Sequence, residues 1–240
     1  MKSCRLAFHE HGAPAEVLRL EDCEVPSPGT GQVRLRMLAA SINPSDLGTI
    51  GGSYGTLPPL PAVAGLEGVA EVIEAGADTP DLQPGDRVRI PPALGAWQTH
   101  LCAPAADLQH VPADLPAEQA ATAFVNPPTA WLLLKEVTGL QPGDWVVQNA
   151  ANSAVGIAVI QIARHLGLRT LNLVRREGLV QPLLELGADA VLLDDDDAPG
   201  TLREHTGGAQ PRLALNSVGG HSAYRLCKML ARGGTHVTFG

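Results

Sequence analysis

The chain of 240 residues lacks the features of a membrane protein or of a nucleic-acid-binding protein. No apolar run approaches the roughly 20 residues that a membrane helix needs. The formal net charge is -8 and no basic run occurs, which argues against nucleic acid as a partner. The N-terminus shows neither a signal-peptide core nor an Arg/Ser-rich presequence. This predicts the cytoplasm, with the mitochondrial matrix as the alternative.

Metal-binding patterns are also scarce. The four cysteines, at positions 4, 23, 102 and 227, form no C-x-x-C pair, so they predict free thiols in a reducing compartment rather than a zinc knuckle. The eight histidines show no ligand spacing. Asp194 to Asp197 are consecutive carboxylates, which do not converge easily on one ion, and we interpret them as a solvated loop.

The pattern of segments changes once along the chain. Residues 1–115 contain short strand-like segments with turn signals between them, as in QVRLRMLAAS, where Val33, Leu35 and Met37 alternate with Arg34 and Arg36. Residues 116–240 alternate between helical and strand patterns. This βα alternation predicts the α/β class, with a doubly wound parallel sheet in the second domain.

Local signals place several elements. The segments AEQAATAFV and PTAWLLLKEV predict helices, and apolar residues recur at helical spacing from Val155 to Leu166. The tetrapeptide QPGD begins at Gln83 and again at Gln141, each time before a strand. Because Pro-Gly suits a type II turn, both predict the same turn.

One loop points to a binding site. NAANSAVG follows the strand-like segment Trp145–Asn149 and precedes the long helix, where a Rossmann fold binds pyrophosphate. The usual G-x-G-x-x-G is absent and only Gly156 remains, but small alanines surround it, and Asn152 and Ser153 offer hydrogen-bond donors. The alternative is an ordinary βα turn of a domain that binds nothing.

The next strand favours the binding interpretation. Arg175, followed by Arg176, comes 19 residues after Gly156. NAD enzymes tend to carry an acidic residue about 20 residues after the glycine loop. Two arginines there would instead bind a 2′-phosphate through charge-assisted hydrogen bonds, which predicts NADP rather than NAD.

Several segments together resemble a known family. They are SINPSD (Ser41–Asp46), GGSYGTLPPLPAVAGLEGVAEV (Gly51–Val72), LGAWQTH (Leu94–His100), FVNPPTAW (Phe124–Trp131), VVQNAANSAVGIAVIQIA (Val146–Ala163), LGLRTLNLVRR (Leu166–Arg176) and PRLALNSVGG (Pro211–Gly220). In this order the chain resembles the zinc-free branch of the medium-chain dehydrogenase/reductase superfamily. More narrowly, it resembles the mitochondrial-type 2-enoyl thioester (trans-2-enoyl-CoA) reductases and their bacterial relatives.

The resemblance implies a fold and an activity. The fold is a GroES-like, mostly β catalytic domain followed by a Rossmann domain, with the site in the cleft between them. The activity is NADPH-dependent reduction of the C=C bond of enoyl-CoA or enoyl-acyl carrier protein in fatty acid metabolism. A quinone reductase of the same branch is the alternative. The family is homodimeric.

The resemblance also implies roles by position. Tyr54 matches the catalytic tyrosine, which gives the enolate its proton. A phenol, with an ordinary pKa of about 10, is protonated at neutral pH and suits that task. Trp97 either walls the acyl pocket or packs within the β domain. Cofactor contacts are implied for Asn43, Asn126, Thr129, Asn152, Ser153, Ala154, Val155, Arg175, Arg176, Phe239 and Gly240.

Zinc is not expected. Zinc alcohol dehydrogenases of this superfamily carry a Cys before a short helix and a ligand in Gly-His-Glu, whereas this chain has Asn43 and Gly65-Leu66-Glu67. Without those ligands no zinc site of that kind is predicted.

Three departures from the family pattern stand out. Ala154 replaces a common loop glycine, and Glu177 stands where a further basic residue is frequent. The sequence ends at Gly240, after the fifth strand-like segment, whereas the family continues to a sixth strand that pairs across the dimer. We therefore expect a poorly stable or aggregation-prone monomer with weakened cofactor binding, or an inactive truncated chain.

Overall fold

The computed structural model describes residues 1–239 of the chain. These residues form two compact units, one comprising Met1–Phe124 and the other beginning at Val125. The domain boundary after residue 115 stays a prediction. The short helix Ala117–Ala120 packs with Val69 and Val111, so by contacts it lies with the first unit.

The first unit is mostly β. Its strands are β1 (Lys2–Phe8), β2 (Arg19–Glu24), β3 (Gln32–Ala40), β4 (Ala62–Val63), β5 (Gly68–Ala75), β6 (Arg87–Arg89), β7 (His100–Pro104) and β8 (Gln109–His110). They form one sheet of order β2-β1-β4 and one of order β7-β3-β5-β6-β8, both antiparallel. The helices are α1 (Pro14–Val17), α2 (Pro44–Gly51) and α3 (Ala117–Ala120), with single 3-10 turns at Pro92–Leu94 and Ala105–Asp107.

The alternation in β3 is confirmed by burial. Val33 and Leu35 are fully buried and pack with Val72 in the core of the five-stranded sheet. Arg34 points to the other face, where it is covered and forms an ion pair of 2.7 Å with Glu74. The period of two therefore predicts the core-facing residues correctly, because successive side chains of a strand point to opposite faces.

The two QPGD segments form the same turn. In Gln83–Asp86 and in Gln141–Asp144 the aspartate carboxylate accepts a hydrogen bond of 2.8 Å from the glutamine N–H. In both, the aspartate N–H donates to the glutamine carbonyl. Gly85 and Gly143 have φ of 98° and 92°. A positive φ at the third position is what a type II turn requires, so the predicted turn is confirmed.

The second unit is built around one parallel sheet. Its strands are β9 (Trp145–Gln148), β10 (Arg169–Val174), β11 (Ala190–Leu193), β12 (Leu213–Asn216) and β13 (Thr235–Thr238), in the order β11-β10-β9-β12-β13. Its helices are α4 (Asn126–Lys135), α5 (Ala154–His165), α6 (Val180–Leu186), α7 (Ala198–Thr206) and α8 (Gly220–Met229), with a 3-10 turn at Glu177–Leu179. This strand order is that of a Rossmann fold.

Both faces of this sheet are buried. Val146 packs in a cluster with Val159 of α5, whereas the next residue, Val147, packs in a separate cluster with Leu226 of α8. Because neighbouring strand residues point to opposite faces, helices cover the sheet on both sides. The predicted doubly wound parallel sheet is confirmed. In the described part of the chain, no helix is long and apolar enough to cross a bilayer.

One predicted helix is largely wrong. AEQAATAFV forms only α3, and turns and bends occupy the residues up to Val125 before α4 begins at Asn126. Pro127 and Pro128 explain the restart. Proline is tolerated in a first helical turn, where its missing N–H has no partner to lose, but it cannot continue a helix, because it has no N–H to donate to the preceding turn.

Candidate active site

The loop between β9 and α5 lies where the strand order reverses, since β9 is flanked by β10 on one side and β12 on the other. Ser153 caps α5, and its Oγ accepts a hydrogen bond of 3.1 Å from the N–H of Gly156. The cap takes the N–H of Gly156, whereas the N–H groups of Ala154 and Val155 point out of the N-terminal end of the helix, where an anion binds. This position and geometry fit the predicted pyrophosphate site.

Gly156 allows the loop to fold tightly against the helix. A Cβ at this position would lie 2.5 Å from the carbonyl oxygen of Ala151. Ala150, one residue earlier, has a φ of 45°, which is uncommon for a residue other than glycine. The backbone of Ala151 therefore comes so close that position 156 requires glycine, the one glycine that remains of this motif.

We expect Gly156→Ala to lower the free energy of unfolding by about 1–3 kcal/mol, as overpacking of a filled site typically does. The added methyl would collide with a backbone atom, which cannot rotate away. Urea denaturation measures this loss. Gly139→Ala is the control, because a Cβ there meets no atom within 4 Å. Equal stability of the two variants would contradict the tight loop.

Arg175 and Arg176 follow the last residue of β10, and both side chains are exposed. Among the described residues neither arginine forms an ion pair or a side-chain hydrogen bond. Asn172 of β10 pairs in register with Gln148 of β9, so the ends of the two strands are neighbours. The arginines thus have free donors beside the loop, which fits a 2′-phosphate of the predicted cofactor. Glu177 is also exposed.

A polar network joins the carboxyl ends of several strands, and sequence reasoning did not find it. The Asn149 side chain donates to Asn216 Oδ1 at 2.7 Å and to Ser222 Oγ at 2.8 Å. Ser222 donates in turn to Asp194 at 2.5 Å. The only sequence signal was an asparagine at the end of each of two apolar strands, in VVQNA and LALNS. The network ties β9, β11, β12 and α8 together around the loop.

The solvated loop predicted for Asp194 to Asp197 is wrong for its first residue. Asp194 has a side chain that is only 6% exposed and forms an ion pair of 3.0 Å with Arg225. Asp196 is 90% exposed. The physical reason is that β11 ends immediately before Asp194, so this carboxylate lies against α8, whereas Asp195 to Asp197 are exposed.

Tyr54 lies in the first unit, just after α2. The helix ends at Gly51, its C-cap residue Gly52 has a φ of 79°, and the chain turns back so that Tyr54 covers Gly48. A Cβ at Gly48 would lie 2.8 Å from the Cβ of Tyr54. The tyrosine is 44% exposed, and within the described chain its hydroxyl forms no hydrogen bond. The Cβ of Tyr54 therefore lies against Gly48, while its hydroxyl is free to reach a substrate.

Two buried carboxylates of the first unit are already occupied. Glu67 is 1% exposed and accepts hydrogen bonds from Ser41, from the Asn43 side chain and from the backbone N–H of Phe124, at 2.9, 2.9 and 3.1 Å. Asp46, also 1% exposed, accepts from the N–H groups of Asn43 and Leu66. Burial raises the pKa of Asp46, although these two hydrogen bonds oppose the rise. Both acids serve the fold of this region.

A cavity of about 600 Å³ adjoins the tyrosine loop within the first unit. Its walls include Thr49, Ile50, Thr56, Leu57, Pro59 and Leu66. Trp97 is not among the lining residues. Its indole N–H donates to the carbonyl of Ser41 at 2.8 Å, and its ring packs beside Phe8 and Ala64. These contacts are those of a residue that packs within the β domain. A role of Trp97 in substrate binding stays a prediction.

The remaining predicted cofactor residues have defined places. Asn126 begins α4, and Thr129, in its first turn, donates to the carbonyl of Val125 at 2.7 Å. Asn152 and Ser153 precede α5, and Ala154 and Val155 form its first turn. Phe239 follows β13, where its N–H donates to the carbonyl of Asn216 at 3.0 Å. Gly240 lies outside the described residues. Asn43, in the first unit, is buried.

Comparison with known families gives matches in both units. Residues 29–113 match the alcohol dehydrogenase GroES-like domain, and residues 154–240 match the zinc-binding dehydrogenase family. Asn43 and Leu66 occupy the places that the sequence comparison assigned to zinc ligands. Among residues 1–239 no three His, Cys, Asp or Glu side chains form a group that could hold a metal ion.

Individual proteins are also similar. The mitochondrial enoyl-[acyl-carrier-protein] reductase of Homo sapiens is 48% identical over 98% of this chain, and the chain spans 65% of that protein. The Xenopus tropicalis protein of the same name is 45% identical over 98% of the chain, which spans 69% of it. The structure of the Etr1p complex with NADP and crotonyl-CoA, from Candida tropicalis, is 29% identical with a TM-score of 0.92, covering 100% of this chain and 75% of Etr1p.

Proposed function

Since the chain belongs to the enoyl thioester reductase branch of the medium-chain dehydrogenase/reductase superfamily, we propose that it reduces the C=C bond of 2-enoyl thioesters with NADPH. The observation that carries the proposal is the free phenol of Tyr54, in a unit whose buried carboxylates Asp46 and Glu67 already accept internal hydrogen bonds. NADP and crotonyl-CoA in the Etr1p complex support the same chemistry.

The cofactor is bound chiefly by the second unit. The backbone of the loop and of the first turn of α5, from Asn152 to Val155, binds the pyrophosphate, and Arg175 and Arg176 bind the 2′-phosphate. Thr129 and Asn43 line the nicotinamide side, with Asn126, Phe239 and Gly240 as further contacts. When bound, NADPH supplies the hydride that adds to the β-carbon of the substrate.

Tyr54 supplies the proton. Hydride addition at the β-carbon leaves negative charge on the α-carbon and the thioester oxygen, and the phenolic O–H transfers its proton to the α-carbon. The reduced product thus carries one added hydride and one added proton, and the tyrosine regains its proton from solvent through its exposed hydroxyl. Asp46 and Glu67 are poor alternatives, because their oxygens already accept hydrogen bonds.

The cavity beside the tyrosine loop supports an acyl substrate. Leu57, Pro59 and Leu66 provide apolar walls, and burial of CH₂ groups against them contributes about 0.8 kcal/mol each. We propose that the acyl chain lies here and that the thioester carries coenzyme A or acyl carrier protein. Trp97 stays a proposed contact of the acyl chain.

Turnover tests the activity. The chain is mixed with NADPH and either crotonyl-CoA or a benzoquinone, and the loss of NADPH absorbance is followed. Crotonyl-CoA is expected to be reduced with the higher kcat/KM. Preferential reduction of the quinone would replace the proposed activity with that of a quinone reductase, and no turnover of either would favour a chain that keeps the fold without catalysis.

We predict that catalysis does not require a metal ion. Asn43 donates its side-chain N–H to Glu67, and Leu66 has no ligand atom, so this region offers no converging ligand set. Dialysis against EDTA is expected to leave the rate unchanged within error. A rate that falls with the chelator and returns with added zinc would refute this prediction.

The assembly state belongs to the proposal as well. Among the described strands, β13 lies at one edge of the parallel sheet, and an open edge presents unpaired backbone groups. We propose that the chain associates with a second copy through a strand edge; in Candida tropicalis, Etr1p forms a heterodimer with Etr2p. Light scattering at several protein concentrations measures the association.

We propose a reducing compartment for the protein. The four cysteines, at positions 4, 23, 102 and 227, are free thiols. The cytoplasm is the first candidate. The mitochondrial matrix is the alternative, and the names of the matched reductases support it.

A further inference from the structure

Two amide side chains lie buried beneath the loop that precedes α5. Gln148, the last residue of β9, is 1% exposed, and Asn172 of β10 is 0% exposed. The Gln148 side chain donates one hydrogen bond to Asn172 Oδ1 at 2.8 Å and a second to the carbonyl of Gly156 at 2.9 Å. A strand residue is thereby tied through its side chain to the first turn of the helix.

Asn172 is fixed in turn by its own donors. Its side-chain amide donates to Thr170 Oγ1 at 2.9 Å and to the carbonyl of Ala190 at 3.0 Å. The chain of hydrogen bonds therefore runs from β11 through β10 and β9 to α5. Because both hydrogens of each amide are used, the orientation of Gln148 is determined by its partners.

The hydrogen bond from Gln148 completes the contacts of one residue, Gly156. Ser153 Oγ accepts the N–H of Gly156, Gln148 donates to the carbonyl of Gly156, and the Cα of Gly156 lies against the backbone of Ala151. The direction of the first turn of α5 relative to the strand thus depends on contacts from three sides. The N–H groups of this turn are those that face the pyrophosphate in the proposed function.

Packing alone does not explain why the amide side chains of Gln148 and Asn172 are buried here. The neighbours of these residues along their strands, Val146 and Val147 in β9 and Leu171 and Leu173 in β10, are fully buried apolar residues. Leucine or methionine would fill the same space without the cost of removing an amide from water. Fully satisfied buried polar groups instead specify one arrangement of the elements that they join.

We propose that Gln148, held by Asn172, is a positioning residue for dinucleotide binding, which sets the start of α5 for the pyrophosphate. This inference rests on the proposed function. It differs from the role of Arg175 and Arg176, because the pyrophosphate is common to NADPH and NADH. Loss of the Gln148 bond therefore weakens both dinucleotides by the same factor and leaves their ratio unchanged.

The test uses Gln148→Leu and Asn172→Leu in the full chain. Fluorescence titration is expected to give dissociation constants for NADPH and NADH that rise about tenfold or more in both variants. The reason is that the hydrogen bond from Gln148 to the carbonyl of Gly156 no longer fixes the first turn of α5. In turnover, the KM for NADPH rises and kcat stays close to that of the wild type. Gln148→Met, which keeps the length of the side chain, serves if the leucine variant does not fold.

Two controls separate positioning from stability. Val147→Ala removes buried volume from the same strand, so it lowers the melting temperature without touching the loop. Gln181→Leu changes an exposed glutamine of α6. Both are expected to bind NADPH as the wild type does. Gln148 variants that melt at lower temperature but bind with wild-type affinity would overturn the inference, and so would a change in the NADPH/NADH ratio. A wild-type chain that binds neither dinucleotide overturns the proposed function and, with it, this inference.

Discussion

Tyr54→Phe is expected to lower the rate of enoyl thioester reduction by about 100- to 10,000-fold, the usual cost of losing a positioned acid. The substitution removes one oxygen from a side chain that is 44% exposed, so neither the fold nor the cofactor loop of the other unit should change. Affinity for NADPH is accordingly expected to remain close to that of the wild type. The loss should appear in kcat, because the O–H contributes to the proton transfer rather than to packing.

Single-turnover mixing of the NADPH complex with crotonyl-CoA measures this step. Tyr224→Phe provides a matched control, since it removes the hydroxyl of the other tyrosine, on α8, which is 59% exposed. That variant should react at the wild-type rate. If Tyr54→Phe keeps most of the wild-type rate, water or another side chain delivers the proton, and the assignment of Tyr54 fails.

Replacing both Arg175 and Arg176 by alanine is expected to weaken NADPH binding by about a hundredfold and NADH binding very little. Hydrogen bonds to charged groups contribute about 1.5–3 kcal/mol each, which corresponds to roughly tenfold or more per arginine. Both side chains are exposed and lack ion pairs within the described chain, so their removal leaves no buried charge without a partner. The selectivity for NADPH over NADH should therefore collapse.

Titration of each variant with the two dinucleotides, followed by nicotinamide fluorescence, gives the ratio directly. A matched double variant, Arg169→Ala with Arg203→Ala, removes the same net charge from exposed positions away from the carboxyl end of β10. It should keep the wild-type selectivity. Equal affinity of the wild-type chain for NADPH and NADH, or equal weakening of both in the Arg175/Arg176 variant, would contradict a 2′-phosphate site at these arginines.

These predictions show how much of the candidate site followed from local sequence. The arginines could be located because a strand–loop–helix–strand unit has a regular length, so that Arg175 follows Gly156 by a predictable spacing. The turn at Gln83–Asp86 could be predicted because its hydrogen bonds lie within four residues. Tyr54 was found by resemblance to a family and not from its own surroundings.

The sequence by itself determined the class of each unit, the strand faces, the repeated turn and the order of β and α elements, because periodicity and turn chemistry depend on residues near one another in the chain. Tertiary structure alone decided that Gln148 meets Asn172, that Asn149 meets Ser222 and that Asp194 lies against Arg225. Partners separated by 24, 73 and 31 residues leave no local pattern. Their burial and hydrogen bonds exist only once β9, β10, β11 and α8 have come together.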